Sequence, residues 1–290
     1  MADNPEAKAV GPNIRQRRVA ARLKEWRDRT GRSTQDVAAQ LRWSAAKLNR
    51  FEKASQKPYA GVAEIIALAA ILGVDETERD RVVTYAIKGQ EGLVWWRALV
   101  QGGRDFDDFM ATESEATRLR NKESLLVPGL AQDEPYMTAA ILAWMDEPDE
   151  EIIEARRELR RRRQMRVTAP DDPMQFHAVI NNAALTQPIL PPDKMAGTLG
   201  HLLSLSELPN VTVQVLMGCP GGFDQAYHLM NFEGEDEAAA VFVDQLNSGL
   251  FIESKEDVEA YNLNFERLAR QALDPQASAR HIDEVRRALA

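Results

Sequence analysis

The stretch Ser33-Thr-Gln-Asp-Val-Ala-Ala-Gln-Leu-Arg-Trp-Ser-Ala-Ala-Lys-Leu-Asn-Arg-Phe-Glu-Lys53 reads as two short helices and the turn between them. A serine hydroxyl accepts one of the orphan amides at a helix start, so Ser33 caps the first helix. Asp36, three residues on, adds a carboxylate where the helix dipole favours it. Val37, Ala38 and Leu41 recur at helical spacing and face inward. After the short turn Arg42-Trp43, Ser44 caps a second helix in which Leu48 and Phe51 are the buried pair. With those two inward, Lys47, Asn49 and Arg50 must point elsewhere.

The same reading extends in both directions. Upstream, Val19, Leu23 and Trp26 mark a helix that Thr30-Gly31 ends with a residue tolerant of positive φ. Downstream, Pro58 and Gly61 punctuate a loop. Ile65, Ile66, Ala69 and Leu72 form a fourth helix stopped at Gly73, and Thr77 to Ile87 supplies a fifth. The expectation is an all-α five-helix domain over residues 1–88.

Charge divides the chain in the same place. Over all 290 residues, 36 Lys and Arg against 45 Asp and Glu give −9, which on its face argues against a polyanion partner. Residues 1–58 hold 14 of the basic residues and 6 of the acids, or +8, which leaves −17 for the remainder. Such asymmetry points to a polyanion-binding module joined to something else, with a well-solvated basic helix as the alternative.

The 33–53 stretch resembles the helix-turn-helix of the XRE (phage repressor/Cro-like) family. The shared features are the Thr-Gln pair opening the first helix, Ala38 at the helix crossing, the capping Ser44, and Arg-Phe-Glu-Lys where the family usually has Arg-Ile-Glu-Lys-Gly. Arg42 takes the usual glycine of the turn, and Ala54 the glycine after the second helix. The resemblance implies that the second helix, about 44–53, lies in the DNA major groove while the preceding helix crosses the backbone.

On that reading Gln35 offers its amide to a phosphate or an adenine edge, with Thr34 beside it in the DNA-binding set. Ala45, Ala46 and Lys47 form the base-facing turn after the capping Ser44, itself counted in the DNA-binding set, with Lys47 donating to guanine and the alanine methyls packing on thymine. Asn49, Arg50, Lys53 and Lys57 hold the sugar-phosphate backbone, giving affinity and register without sequence information. Arg50 has a second reading, an ion pair with a neighbouring acid. Arg15 to Arg22 reads either as an arm along phosphates or as a solvated helix face.

Residues 89–105 read as an apolar connector, since Val94, Trp95, Trp96, Leu99 and Val100 make it too apolar to hang free. Beyond it, 106–290 reads as a mixed α+β domain for sensing or interaction, with a small, mainly antiparallel sheet. Phe106 to Glu123 reads as amphipathic. Helices are expected at Tyr136–Met145, Asp149–Val167, Pro192–Glu207, Glu256–Leu273 and Pro275–Leu289. Strands are expected only in the later half, at Phe176–Ile180, Val211–Met217, Tyr227–Phe232, Ala240–Asp244 and Gly249–Ile252. The helix from Asp149 carries acids at its front and seven arginines from Arg156 to Arg166. Macrodipole and i,i+3 or i,i+4 pairing account for that run, with a bound phosphate or carboxylate as the functional alternative.

This second region resembles the uncharacterised domain that follows an XRE motif in many actinobacterial regulators. The resemblance is carried by Val127-Pro-Gly-Leu-Ala-Gln132, Tyr136, Ile180-Asn-Asn-Ala-Ala-Leu185, Leu208-Pro-Asn-Val-Thr-Val-Gln-Val215 and Phe265-Glu-Arg-Leu-Ala-Arg-Gln-Ala-Leu273. The family usually has Leu-Leu-Gln-Thr after its Pro-Gly, where this chain has Leu130-Ala-Gln-Asp133. Asn182 stands where an acid is common. The resemblance brings no agreed effector.

Enzyme classes find little support. His177, His201, His228 and His281 lack metal-ligand spacing, and one cysteine cannot make a thiolate zinc site, so no metal is expected. Cys219 beside Pro-Gly-Gly reads as a structural thiol rather than a nucleophile. There is no Walker loop, dinucleotide-binding glycine fingerprint or Gly-x-Ser-x-Gly elbow, and no cofactor is expected. No signal peptide or membrane span is read, and a lone thiol fits the cytoplasm. The expected function is a sequence-specific transcription regulator binding double-stranded DNA as a homodimer, with a C-terminal domain for a small-molecule effector or a small partner protein. The alternative is an antitoxin-like or adaptor protein whose DNA binding is only autoregulatory.

Overall fold

A computed structural model describes residues 14–90, 95–100, 104–143, 145, 147, 149–187, 189–218, 225–232, 240–244 and 249–289. The chain forms two compact units, one up to Val94 and one from Trp95 onward.

The first unit is helical. Helix α1 (Ile14–Arg29) buries Val19, Leu23 and Trp26 along one stripe, and the chain turns at Gly31 with φ +66°. Helices α2 (Thr34–Gln40) and α3 (Ala45–Lys53) follow, each capped as the sequence predicts. The Ser33 hydroxyl accepts from the Asp36 amide and the Ser44 hydroxyl from the Lys47 amide, both at 3.1 Å. Helix α4 (Val62–Leu72) starts at Gly61, whose amide donates to Glu64 (3.2 Å), and ends at Gly73 with φ +70°. Leu68 rather than Ile66 completes its inner face, and Ile66 is exposed. Helix α5 (Glu76–Gln90) returns across α1, where Glu78 accepts from the Trp26 indole (2.8 Å) and from Arg29 (2.8 Å). The basic residues 15–22 belong to α1 itself and form no extended arm.

The second unit is α+β, and its sheet departs from the sequence expectation. Among the described residues six strands lie in the order β3-β2-β1-β4-β5-β6, so the sheet is larger than expected and mixed, with two parallel and three antiparallel pairings. Strands β1 (Arg118–Glu123), β2 (Gln175–Asn181) and β3 (Val211–Leu216) run parallel. Strands β4 (Tyr227–Asn231), β5 (Ala240–Asp244) and β6 (Gly249–Ile252) continue from β1 as antiparallel neighbours. The parallel half requires long crossovers, which helices provide. Helices α7 (Glu134–Leu142) and α8 (Glu150–Thr168) connect β1 to β2, and α9 (Ala183–Thr186) and α10 (Pro192–Ser206) connect β2 to β3.

The missed strand is β1, at the sheet centre. The segment expected to be amphipathic throughout is helix α6 (Arg104–Glu115) followed by Arg-Leu-Arg-Asn-Lys-Glu, a strand buried at four successive positions that its charged composition hid. Alternation nevertheless sorts the sheet. Val241 and Val243 join Val179, Leu216, Tyr227 and Leu229 under helix α11 (Lys255–Gln271). Phe242, between them, stacks on Phe109 of α6 across the opposite face (4.4 Å). Helix α12 (Pro275–Leu289) closes the chain, with Ser278 donating to the Leu273 carbonyl and accepting from the Val215 amide. Trp96, in the stretch expected to be a connector, is buried and donates to Asp107 at the start of α6 (2.8 Å). The turn around Cys219 lies outside the described residues. Among the described residues no helix is long and apolar enough to cross a membrane.

Candidate nucleic-acid interface

Helix α3 has two unlike faces. Leu48, Phe51 and Glu52 are buried, while Ala46, Asn49 and Lys53, spaced three and four residues apart, share the exposed face. Ala45 is half-buried at the first turn, Gln35 is exposed at the start of α2, and Thr34 beside it is half-buried. Lys57 is exposed in the loop after α3. The candidate residues therefore gather on α3 and the front of α2, with Ser44 occupied as the cap that joins them.

Two of the expected contacts are held in protein interactions. The Lys47 ammonium lies 3.4 Å from Glu64 and 4.3 Å above the Trp43 ring, which itself meets Phe51 edge to face (5.8 Å). A base contact by Lys47 therefore means withdrawing it from Glu64. The Arg50 guanidinium lies over the Phe51 ring at 5.3 Å, and its Nε is buried without an acceptor. The ion pair considered for Arg50 belongs instead to Arg27.

That pair is what the sequence reading missed. Glu52, within Arg-Phe-Glu-Lys, turns inward and accepts from Arg27 Nε (2.7 Å) and Nη2 (2.9 Å). The side chains are 14 % and 4 % exposed, so a bidentate ion pair fixes α3 against α1 out of water. The Glu52 hydrogen bond raises the Arg27 pKa above its ordinary value. Arg27 also donates to the carbonyl of Arg32, at the entry to α2. A signal was available, because Glu52 lies four residues after Leu48 on the buried stripe.

The turns carry the other distinctive geometry. Arg42 and Ala54, the residues standing where the resembled family has glycine, adopt φ +54° and +46°. The backbone thus keeps the left-handed turns that glycine normally serves, without the glycines.

In the second unit six of the seven arginines in the α8 run are taken up by structure, while Arg156 has a buried Nε without an acceptor. Arg157, Arg161 and Arg162 pair with acids of the same helix, and Arg163 makes a bidentate bond to buried Glu113 of α6 (2.6 and 2.7 Å). Arg160 donates to the side chain of Gln132 and the carbonyl of Met137, and Arg166 to the carbonyl of Ala116. Burial, with Arg163 and Arg156 nearby, lowers the Arg160 pKa to about 10. Among the described residues no group of three or more His, Cys, Asp and Glu side chains is placed to hold a metal ion.

The capped α2–turn–α3 pair, with its exposed polar face, makes this a helix-turn-helix protein. Comparison with family models agrees: a model described as "Helix-turn-helix domain" matches residues 18–82. A second, described as "Domain of unknown function (DUF5753)", matches residues 106–284, more than half of the chain, and the chain belongs to that family. Together the two matches fit an XRE-type helix-turn-helix regulator with an uncharacterised C-terminal domain. No curated protein and no solved structure matched the chain.

Proposed function

We propose that this chain is a sequence-specific transcription regulator of the cytoplasm that binds double-stranded DNA as a homodimer. Its C-terminal unit would bind an effector or partner, and the reading assigns it no catalytic step. The observation that carries the reading is the division of α3. One face is fixed by Leu48, Phe51 and the Arg27–Glu52 pair, while Ala46, Asn49 and Lys53 stand free of the core on the other. A rigid helix with an exposed polar face suits the major groove, and the basic excess of residues 1–58 suits the phosphates around it. Homodimerisation would supply the second half-site, because one recognition helix reads few base pairs.

Equilibrium titrations of the full chain on its operator and on a scrambled duplex, over a range of salt, test the assignment. Lys53→Ala should weaken both duplexes alike and make the salt dependence shallower by about one counterion. Lys47→Ala should reduce discrimination by about 1 kcal/mol, the low end of a direct base contact, because its ammonium must leave Glu64. Identical effects of the two substitutions on both duplexes would refute the division into base and phosphate contacts. An undiminished preference for the operator with Ala46 and Lys47 both replaced would place base recognition outside α3.

A further inference from the structure

The central strand β1 places a cation where a sheet normally buries an apolar side chain. Arg120 is 6 % exposed beneath α11. Its Nη2 donates to Oδ1 of Asn262 (2.5 Å) and Oδ1 of Asn231 (3.4 Å), both uncharged. Its Nε has no acceptor, and neither has Nδ2 of Asn262, a residue that is also 6 % exposed. Among the described residues no carboxylate lies within ion-pair distance of this guanidinium. Glu266 and Glu259 act on this cation only from beyond ion-pair distance; buried donors without acceptors and a buried cation without a paired carboxylate are each costly, so their persistence here calls for an acceptor that the chain does not supply.

Both groups line a cleft of about 210 Å³ bounded by β1, β2 and α11. Arg118 stands exposed at its edge, and His177 of β2 contributes a wall, with its ring edge-on to Phe265 (5.0 Å). The His177 tautomer follows from its neighbour. Gln214 Nε2 donates to the carbonyls of Ala269 and Leu273, so Gln214 Oε1 accepts from His177 Nε2 at 2.8 Å. Nδ1 of the neutral ring is then an acceptor. The remaining wall is acidic, formed by half-buried Glu259 and exposed Glu266 of α11, the latter 3.8 Å from Arg270.

We propose that this cleft binds a small zwitterion of amino-acid size, its carboxylate against Arg120 and Arg118 and its ammonium toward Glu259. The two arginines match one carboxylate, and the acids of α11 oppose a phosphate dianion. The volume lies below the range of drug-sized ligands and so favours a ligand of few heavy atoms over a nucleotide. A plain carboxylate would leave the acidic wall without a partner. The proposal deepens the reading of the C-terminal unit as the sensing unit and rests on it for its role.

Calorimetric titration of the full-length protein, without DNA, with each of the twenty amino acids and with propionate and glycerol 3-phosphate tests it. At least one amino acid should bind saturably and about tenfold more tightly than propionate or glycerol 3-phosphate. Arg118→Gln and Glu259→Gln, both outside the core, should each weaken it about tenfold, and Glu259→Gln should bring it level with propionate. Arg120→Gln should abolish binding, and circular dichroism reports whether that variant folds. If no amino acid outbinds propionate, if glycerol 3-phosphate binds best, or if affinity survives both surface substitutions, the site assignment is wrong. The amino acid that binds is then added to the operator titration. An unchanged DNA affinity would overturn the sensing role and leave the site standing.

Discussion

Arg42 and Ala54 hold left-handed backbone at φ +54° and +46°. For a residue with a Cβ that conformation costs about 1–2 kcal/mol, partly offset because glycine loses more freedom on folding. Arg42 is exposed and Ala54 is buried, so the first offers the cleaner test. Arg42→Gly should stabilise the chain by about 0.5–1 kcal/mol in urea unfolding, and a loss of stability would show that the guanidinium makes an unrecognised contact. Glu123, at the end of β1, gives a second prediction. Burial pushes its pKa from 4.5 up to about 7, against the opposing pull of the Asn121 amide. The folded chain therefore retains a proton that the unfolded chain releases. This contribution is fully present below pH 4.5 and is lost as pH rises through 7. Glu123→Gln should flatten that part of the stability profile, removing a fall on the order of 3 kcal/mol. Capping residues were legible because Ser33 and Ser44 act on amides three residues away. Glu52 and Arg120 were not, because their partners Arg27, Asn231 and Asn262 lie 25, 111 and 142 positions distant.

At the scale of elements, the recognition helix owes its orientation to more than apolar packing. Leu48 and Phe51 place α3 against the core, but apolar contacts tolerate rotation, whereas the two bonds from Arg27 to Glu52 fix its angle. Glu52→Gln leaves a buried guanidinium short of its counterion. Because Arg27 keeps Asp28 at 3.0 Å, the expected loss is about 3 kcal/mol, at the low end for a broken buried pair. DNA affinity should fall in the same variant although Glu52 faces away from solvent, and a stable variant with full DNA affinity would remove this pair from the account. The starts of α2 and α3 and the ends of α1 and α4 followed from Ser33, Ser44, Gly31 and Gly73, which act locally, while the short α9 carried no such signal. The order of the sheet did not. Strand β1 carries Arg120, Asn121 and Lys122 at buried positions, so its composition spoke against a strand. The parallel pairing of β1, β2 and β3 is set by crossovers rather than by any local pattern.

For the molecule as a whole, the formal charge of −9 averages a basic unit and an acidic one. Only the distribution bears on function, since phosphates respond to the charge near them within about a Debye length, roughly 8–10 Å. The division at Val94 and the burial of Trp96 against α6 predict that a chain starting at Trp95 folds by itself and does not retard DNA. A fragment that bound DNA tightly would transfer the interface to α8. The most direct measurement of the central claim is selection of bound duplexes from a random pool by the full-length protein, followed by the affinity ratio of selected to scrambled DNA. That ratio should be about 10³ or more and should fall toward unity when the base-facing Ala45, Ala46 and Lys47 are changed together. Equal affinity for selected and scrambled DNA, or a ratio untouched by those three changes, would contradict it.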